Sequence, residues 1–400
     1  MPDQLESRLR AEGERLDIDQ PPLAVIAARA AALRRRRLAA RTGAAALAAL
    51  VVAGVTLAAR HDPRPAPTAV ASGPADAPSG TWSAEGITIS GLAHLPQDLP
   101  GSIREAEFAD AERGYLLTAD CCTTWISATA DGGRTWRTVP SPLSGLPKLI
   151  ATPDRITLLG PAPGLERATS TDGEHWSTDA SPAAPAAPLT GESRLVALDG
   201  GECGAPTAGL TGTALAPVPR QPPLEVCWRS PVRAGDGSWW VGGRTADAGP
   251  AVAVSRDNGA TWTVTAFPGF PGTARAAMLG RGVYVTIVAP QEAAAAPERL
   301  VAVAASADGG ATFGPAHPTA GQATIGGDLV PLLDGRLLIV DGYGHWLVSE
   351  DEGISWVRLE GLHTTMRLSR TEAGYVAYRM TTIYTAFSVD GSTWQKLDAQ

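Results

Sequence analysis

Six aspartates in this chain stand in nearly identical company: Asp131, Asp172, Asp257, Asp308, Asp351 and Asp390. Each follows a Ser or Thr by two positions. Each precedes a Gly and then an aromatic, respectively Trp136, Trp176, Trp262, Phe313, Trp356 and Trp394. Carboxylates are the acids and bases of glycoside hydrolysis, which needs two of them flanking one bond. These six read otherwise. A group repeated along a chain serves the repeat, whereas a single active site breaks the symmetry. The local chemistry is that of a hairpin turn: Asp accepts backbone N–H groups, Gly supplies a positive φ, and the aromatic opens the next strand and packs between sheets. No catalytic residue is assigned.

Other candidates are sparse. Asp120, Asp236, Asp334 and Asp341 follow strand-like runs such as Leu337–Val340, where turn residues belong. No Gly-x-Ser-x-Gly elbow and no phosphate-binding Gly loop occurs. The six His are scattered, and Cys121, Cys122, Cys203 and Cys227 form no CxxC pair. The expectation is therefore no metal and no cofactor. Trp125, Trp228, Trp239, Trp240 and Trp346 suit either packing between sheets or contact with a sugar or peptide.

The elements that position these residues follow from the flanks. Ala251–Val254 precedes one turn and Trp262–Phe267 follows it, each reading as a strand. The terminal aromatics recur about every 40 residues, with one gap about twice as long between Trp176 and Trp262. Arg194–Leu198 and Leu210–Leu215 inside that gap still read as strands. A third unit that has lost its turn gives an all-β, seven-bladed β-propeller of four-stranded blades. Residues 82–92, with Ile87-Thr88-Ile89, are placed to add a closing strand.

The six motifs, from Thr129-Ala130-Asp131-Gly132-Gly133-Arg134-Thr135-Trp136 to Ser388-Val389-Asp390-Gly391-Ser392-Thr393-Trp394, resemble the Asp box, or BNR repeat. The likeness is to sialidases, sortilin-type receptors, oligoxyloglucan hydrolases and the photosystem II assembly factor. It covers most of the chain and implies a propeller in which the box joins the third and fourth strands of a blade, away from any active site. Gly114-Tyr115-Leu116-Leu117 before the first box looks most like the assembly-factor type. Sialidase chemistry implies an Arg triad and an Arg-Ile-Pro motif. Arg155-Ile156-Thr157 is the nearest match and reads as a strand start.

With strand one starting on one face, here the top, the boxes line the bottom. Loops between strands two and three, and links between blades, lie on top. Cys121, Cys122 and Cys203 then fall in top loops and Cys227 at the start of blade four. Cys203–Cys227 is the expected disulfide. Cys121 and Cys122 form a vicinal one, or each pairs with a later Cys.

The net charge of −8 excludes phosphate-backbone binding, so no nucleic acid is expected. That charge is uneven: residues 1–41 carry nine Arg against six acidic residues. They read as a partly helical cytoplasmic leader. Residues 42–60 hold an uncharged, Ala-rich run after Arg34–Arg37 and Arg41, long enough to span a bilayer as a helix. A cleaved signal ending at Ala69-Val70-Ala71 and a buried helix are the alternatives. Residues 61–80 form a Pro/Ala-rich linker, and 81–400 the propeller outside a plasma membrane crossed once. The expected function is binding or scaffolding at the cell surface, with a glycan or protein ligand on the top face. The alternatives are a glycoside hydrolase of sialidase-like fold and a transmembrane sensor with a regulatory leader.

Overall fold

The computed structural model describes residues 80–398, apart from 92–98, 161–165, 181–183, 198–202, 205, 228–231, 291–296, 322, 363–364, 372 and 380–383. The chain divides into units Met1–Pro74 and Ala75–Gln400, and all described residues belong to the second. The leader, the apolar run 42–60 and residues 61–79 lie outside the described residues. Among the described residues, no helix is long and apolar enough to cross a membrane.

The described chain is a ring of seven sheets, antiparallel except for one added strand in the last, taken in order: a seven-bladed β-propeller. Blade one is Ser102–Phe108, Gly114–Ala119, Thr124–Thr129 and Arg137–Pro140. Blade two runs from Lys148–Thr152 to Ser177–Asp179, and blade three from Arg194–Ala197 to Ala214–Pro217. Blades four and five begin at Glu225–Val226 and Thr273–Leu279. Blade six begins at Val330–Pro331 and blade seven at Arg367–Arg370.

The blades are not uniformly four-stranded. In blade four, Glu225–Val226 and Val232–Arg233 both pair with Trp239–Arg244, so one strand is interrupted. In blade five, His317–Pro318 and Thr324–Ile325 likewise share the long strand Glu298–Ser306. Among the described residues, blade three has three strands. The run Leu210–Leu215 is not one strand but straddles a tight turn, because Gly212 takes a φ of 59° between Thr207–Thr211 and Ala214–Pro217. Beside Ala214–Pro217, the amides of Ala184 and Ala187 donate to Leu215 O and Pro217 O.

The core is distributed over the seams. Among the described residues, seven clusters of buried apolar side chains lie one between each pair of neighbouring blades. The aromatic that ends each turn packs back on the preceding blade. Trp136 of blade one joins Val376, Tyr378 and Phe387 of blade seven, closing the ring. Trp394 of blade seven joins Val330, Leu338 and Trp346 of blade six. Blade three has no such turn, and the cluster between blades two and three contains no aromatic: Ile150, Leu159, Val196, Ala208, Leu210 and Leu215.

A hairpin, Gly80–Ala84 and Ile87–Gly91, completes the outer edge of blade seven. Its turn, Glu85-Gly86, has φ of 48° and 80°, as a two-residue hairpin loop requires. Ile87–Gly91 lies parallel to Thr393–Asp398, so the ring-closing segment adds outside the last blade. Ile87 and Ile89 are fully buried there.

Candidate functional site

The six repeated carboxylates stay apart, one to a blade, each bound by its own turn. In blade one, the Gly133 amide donates to Thr129 Oγ1 (2.8 Å). The Thr135 amide and hydroxyl donate to the two Asp131 oxygens (2.9 and 2.7 Å). The same amide and hydroxyl pair recurs at Asp257 with Thr261, Asp308 with Thr312 and Asp351 with Ser355. In the two shorter turns the aromatic follows Asp one position sooner, and the bonds move inward. Asp172 accepts the amides of Glu174 and His175, and Asp390 those of Ser392 and Thr393.

All six carboxyls are held below the ordinary aspartate range, by two routes. At Asp257 and Asp308 the Thr hydroxyl has the largest influence, and at Asp172 the His175 amide does. At Asp131, Asp351 and Asp390 burial pushes upward, but the hydrogen bonds together outweigh it. A carboxylate held charged in this way is a poor proton donor near neutrality.

The other acidic candidates are also turn residues. Asp120 accepts the amides of Cys122 and Thr123, and Asp236 the amide and hydroxyl of Ser238. Asp334 binds Arg336, and Asp341 binds the amides of Tyr343 and His345. Trp239, Trp240 and Trp346 are buried in the seams. Trp125 is half-buried, and Trp228 lies outside the described residues. Arg155 opens the second strand of blade two and pairs with Asp154 (2.7 Å). Cys203 is bonded to Cys227, tying blade three to the first strand of blade four. Cys121 and Cys122 are not bonded, to each other or to a later Cys.

Sequence reasoning missed a polar centre that breaks the repeat, where the first strands of blades five, six and seven converge. Gly326-Gly327-Asp328 leads into blade six and runs beside Arg367–Arg370. The Asp328 amide donates to Leu368 O and the Leu368 amide to Gly326 O, both at 2.9 Å. Two glycines permit this approach. A Cβ on Gly326 would stand 2.2 Å from Met366 O, and one on Gly327, where φ is +95°, 2.0 Å from Leu368 O.

The Asp328 carboxylate accepts the Arg370 amide (2.9 Å) and lies in the field of Arg275, Arg367 and Arg370. Arg275 is buried, pairs with Glu298 and donates to Gly327 O (3.0 Å). Arg370 reaches back to Met278 O of blade five (3.2 Å). Asp328, Arg367 and Arg370 keep part of their surface accessible although protein surrounds them, as residues on the wall of a propeller channel do. Burial pushes the Asp328 carboxyl up, against the Arg370 amide and the three guanidinium charges. Arg367 is held firmly charged, with Tyr378 the largest influence and Glu298, Asp328 and Glu105 adding to it. It donates no hydrogen bond among the described residues, although a guanidinium carries five N–H donors. The one sequence signal for this centre is Gly326-Gly327-Asp328, a charged residue behind two glycines outside the turn pattern.

No family model matches the chain, and no curated protein matches it. Solved structures do. YCF48 bound to D1 peptide is 14% identical, with 70% of this chain and 92% of that chain covered, at a TM-score of 0.47. The Pan2 WD40 domain of Neurospora crassa is 10% identical, with 75% and 93% covered, at 0.49. The GH74 enzyme of Niastella koreensis is 15% identical, with 74% and 46% covered, at 0.37.

Proposed function

We propose that this chain is a binding module held at a cell surface, with residues 42–60 in the membrane and the propeller outside. The turns are read as Asp boxes that serve the scaffold. The ligand is an acidic peptide or protein segment that presents a carboxylate to the channel wall of blades five to seven. The observation that supports this is Arg367: deep, charged, partly accessible and without a hydrogen-bond acceptor among the described residues. A guanidinium placed so takes a carboxylate in a two-pronged, charge-assisted contact.

A second reading, a glycoside hydrolase acting on acidic sugars, is favoured by the convergence of three arginines on one point. Here that point already holds a carboxylate of the protein, Asp328. One experiment separates the readings. The purified protein is titrated with acidic peptides and, in parallel, incubated with fluorogenic glycosides that include sialosides. Binding reads out as saturable peptide affinity that falls about ten-fold or more in Arg367→Gln. Turnover that vanishes in Asp328→Asn would make the protein a hydrolase. Peptide affinity unchanged in Arg367→Gln would remove the channel from the account.

A further inference from the structure

The loop between the second and third strands of blade one carries two adjacent thiols at its tip. Cys121 and Cys122 are both exposed, and their sulfurs lie 2.8 Å apart. Free cysteine is among the most buried residue types, so two exposed ones side by side are unusual. The loop holds them together. Asp120 accepts the amides of Cys122 (2.8 Å) and Thr123 (2.7 Å), and the Asp120 amide donates back to Thr123 O (3.1 Å). The turn is thus fixed on both sides of the pair while the thiols remain open to solvent. The chain's other two cysteines, Cys203 and Cys227, are already joined.

We propose that Cys121 and Cys122 form a reversible dithiol–disulfide couple, oxidised by exchange with a disulfide-bearing reagent. One thiolate attacks the reagent disulfide and expels the first thiol. The neighbouring thiolate attacks the mixed disulfide, forms Cys121–Cys122 and expels the second. The two cysteine protons leave with the two released thiols, so one disulfide is consumed and one is made. The second step needs little motion, because the sulfurs are already close.

The ring so formed is labile for a geometric reason. Adjacent Cα atoms are about 3.8 Å apart across a trans peptide, below the usual separation of about 4.4–6.8 Å in disulfides. Strain of this kind makes the bond easier to reduce, which suits a couple that cycles. The Cys121 thiol, then burial, then the Asp120 charge raise the Cys122 thiol above its ordinary value, so its thiolate, the attacking form, is favoured as pH rises. This site stands apart from the channel of blades five to seven, and its test does not depend on any ligand there.

The full chain is exposed to oxidised glutathione and examined by mass spectrometry and thiol alkylation. The expected product is two hydrogens lighter, carries no glutathione, and has lost both alkylatable thiols. Dithiothreitol restores both, and peptide mapping assigns the recovered thiols to Cys121 and Cys122 rather than to the Cys203–Cys227 pair. Cys121→Ser, which lacks the second thiol, accumulates one glutathione adduct instead. A stable adduct on the unmodified chain, a disulfide-linked dimer, or two thiols still alkylatable after exposure would each overturn the proposal.

Discussion

Blade six contains two aspartates with opposite fates. Asp351 sits in the outer turn, and its partners Ser349 and Ser355 come from the same seven residues of chain. Asp328 sits at the entry to the inner strand, and its surroundings arrive from Arg275, Arg367 and Arg370, in the blades on either side. Burial pushes both carboxyls up. In the turn, four hydrogen bonds reverse the effect; in the channel, one amide and three guanidinium charges do not. Asp328 is the more deeply enclosed of the two, so the burial its partners must overcome is larger. The turn can be repeated because it is self-sufficient. The channel site depends on residues of three successive blades, so no single blade can repeat it.

The sharpest way to break this contrast is at the platform of Asp328. Gly327→Ala forces a Cβ against Leu368 O in a positive-φ position, and a loss of about 3 kcal/mol is expected in urea titration. A loss below about 1 kcal/mol would mean that blades six and seven are not locked there. Next, Asp351→Ala removes the acceptor of one turn and should cost about 1–2 kcal/mol in the same assay, with Asp351→Asn costing less.

A pH series separates the two carboxylates by sign. The folded value of Asp351 is depressed, so its stabilisation is present above the unfolded aspartate range, about 3.9, and is lost as pH falls through the folded value. The folded value of Asp328 is raised, so its protonated form is the one the fold prefers, and its contribution declines as pH rises through that value. Thermal melts of Asp328→Asn should therefore match or exceed the parent at pH 7, by on the order of 1 kcal/mol, and converge with it near pH 3. A clear loss at pH 7 would reverse the sign assigned to Asp328. The smallest effect is expected at the surface pair Arg137–Glu174, where Arg137→Ala should leave the urea midpoint unchanged within its error.

These two aspartates also mark what a sequence displays. The turn around Asp351 was legible because every partner lies within a few residues, so the hydrogen-bond pattern is a spacing pattern. The blade count followed from it, as did the packing of Trp136 and Trp394 between sheets. Asp328 was not legible, since Arg275 and Arg367 reach it from other blades only in the folded chain. Blade three was half legible. Its lost turn showed as a double gap, but the break at Gly212 and the edge contacts of Ala184 and Ala187 depend on packing. The pairing of Ile87–Gly91 with the last strand had a visible candidate in the alternating isoleucines, though not its parallel direction.

The missing turn of blade three has a mechanical consequence. Because each terminal aromatic leans on the blade before it, a blade without one weakens its rear joint and leaves its front joint whole. Among the described residues, the buried apolar cluster between blade three and blade two is aliphatic throughout. On its other side blade three is gripped by Trp262 and covalently stapled through Cys203–Cys227. A ring strained to failure parts at its weakest joint, and here that joint has an address. Blade three should leave with blade four, and amide exchange should open first along the line between Ile150 and Val196.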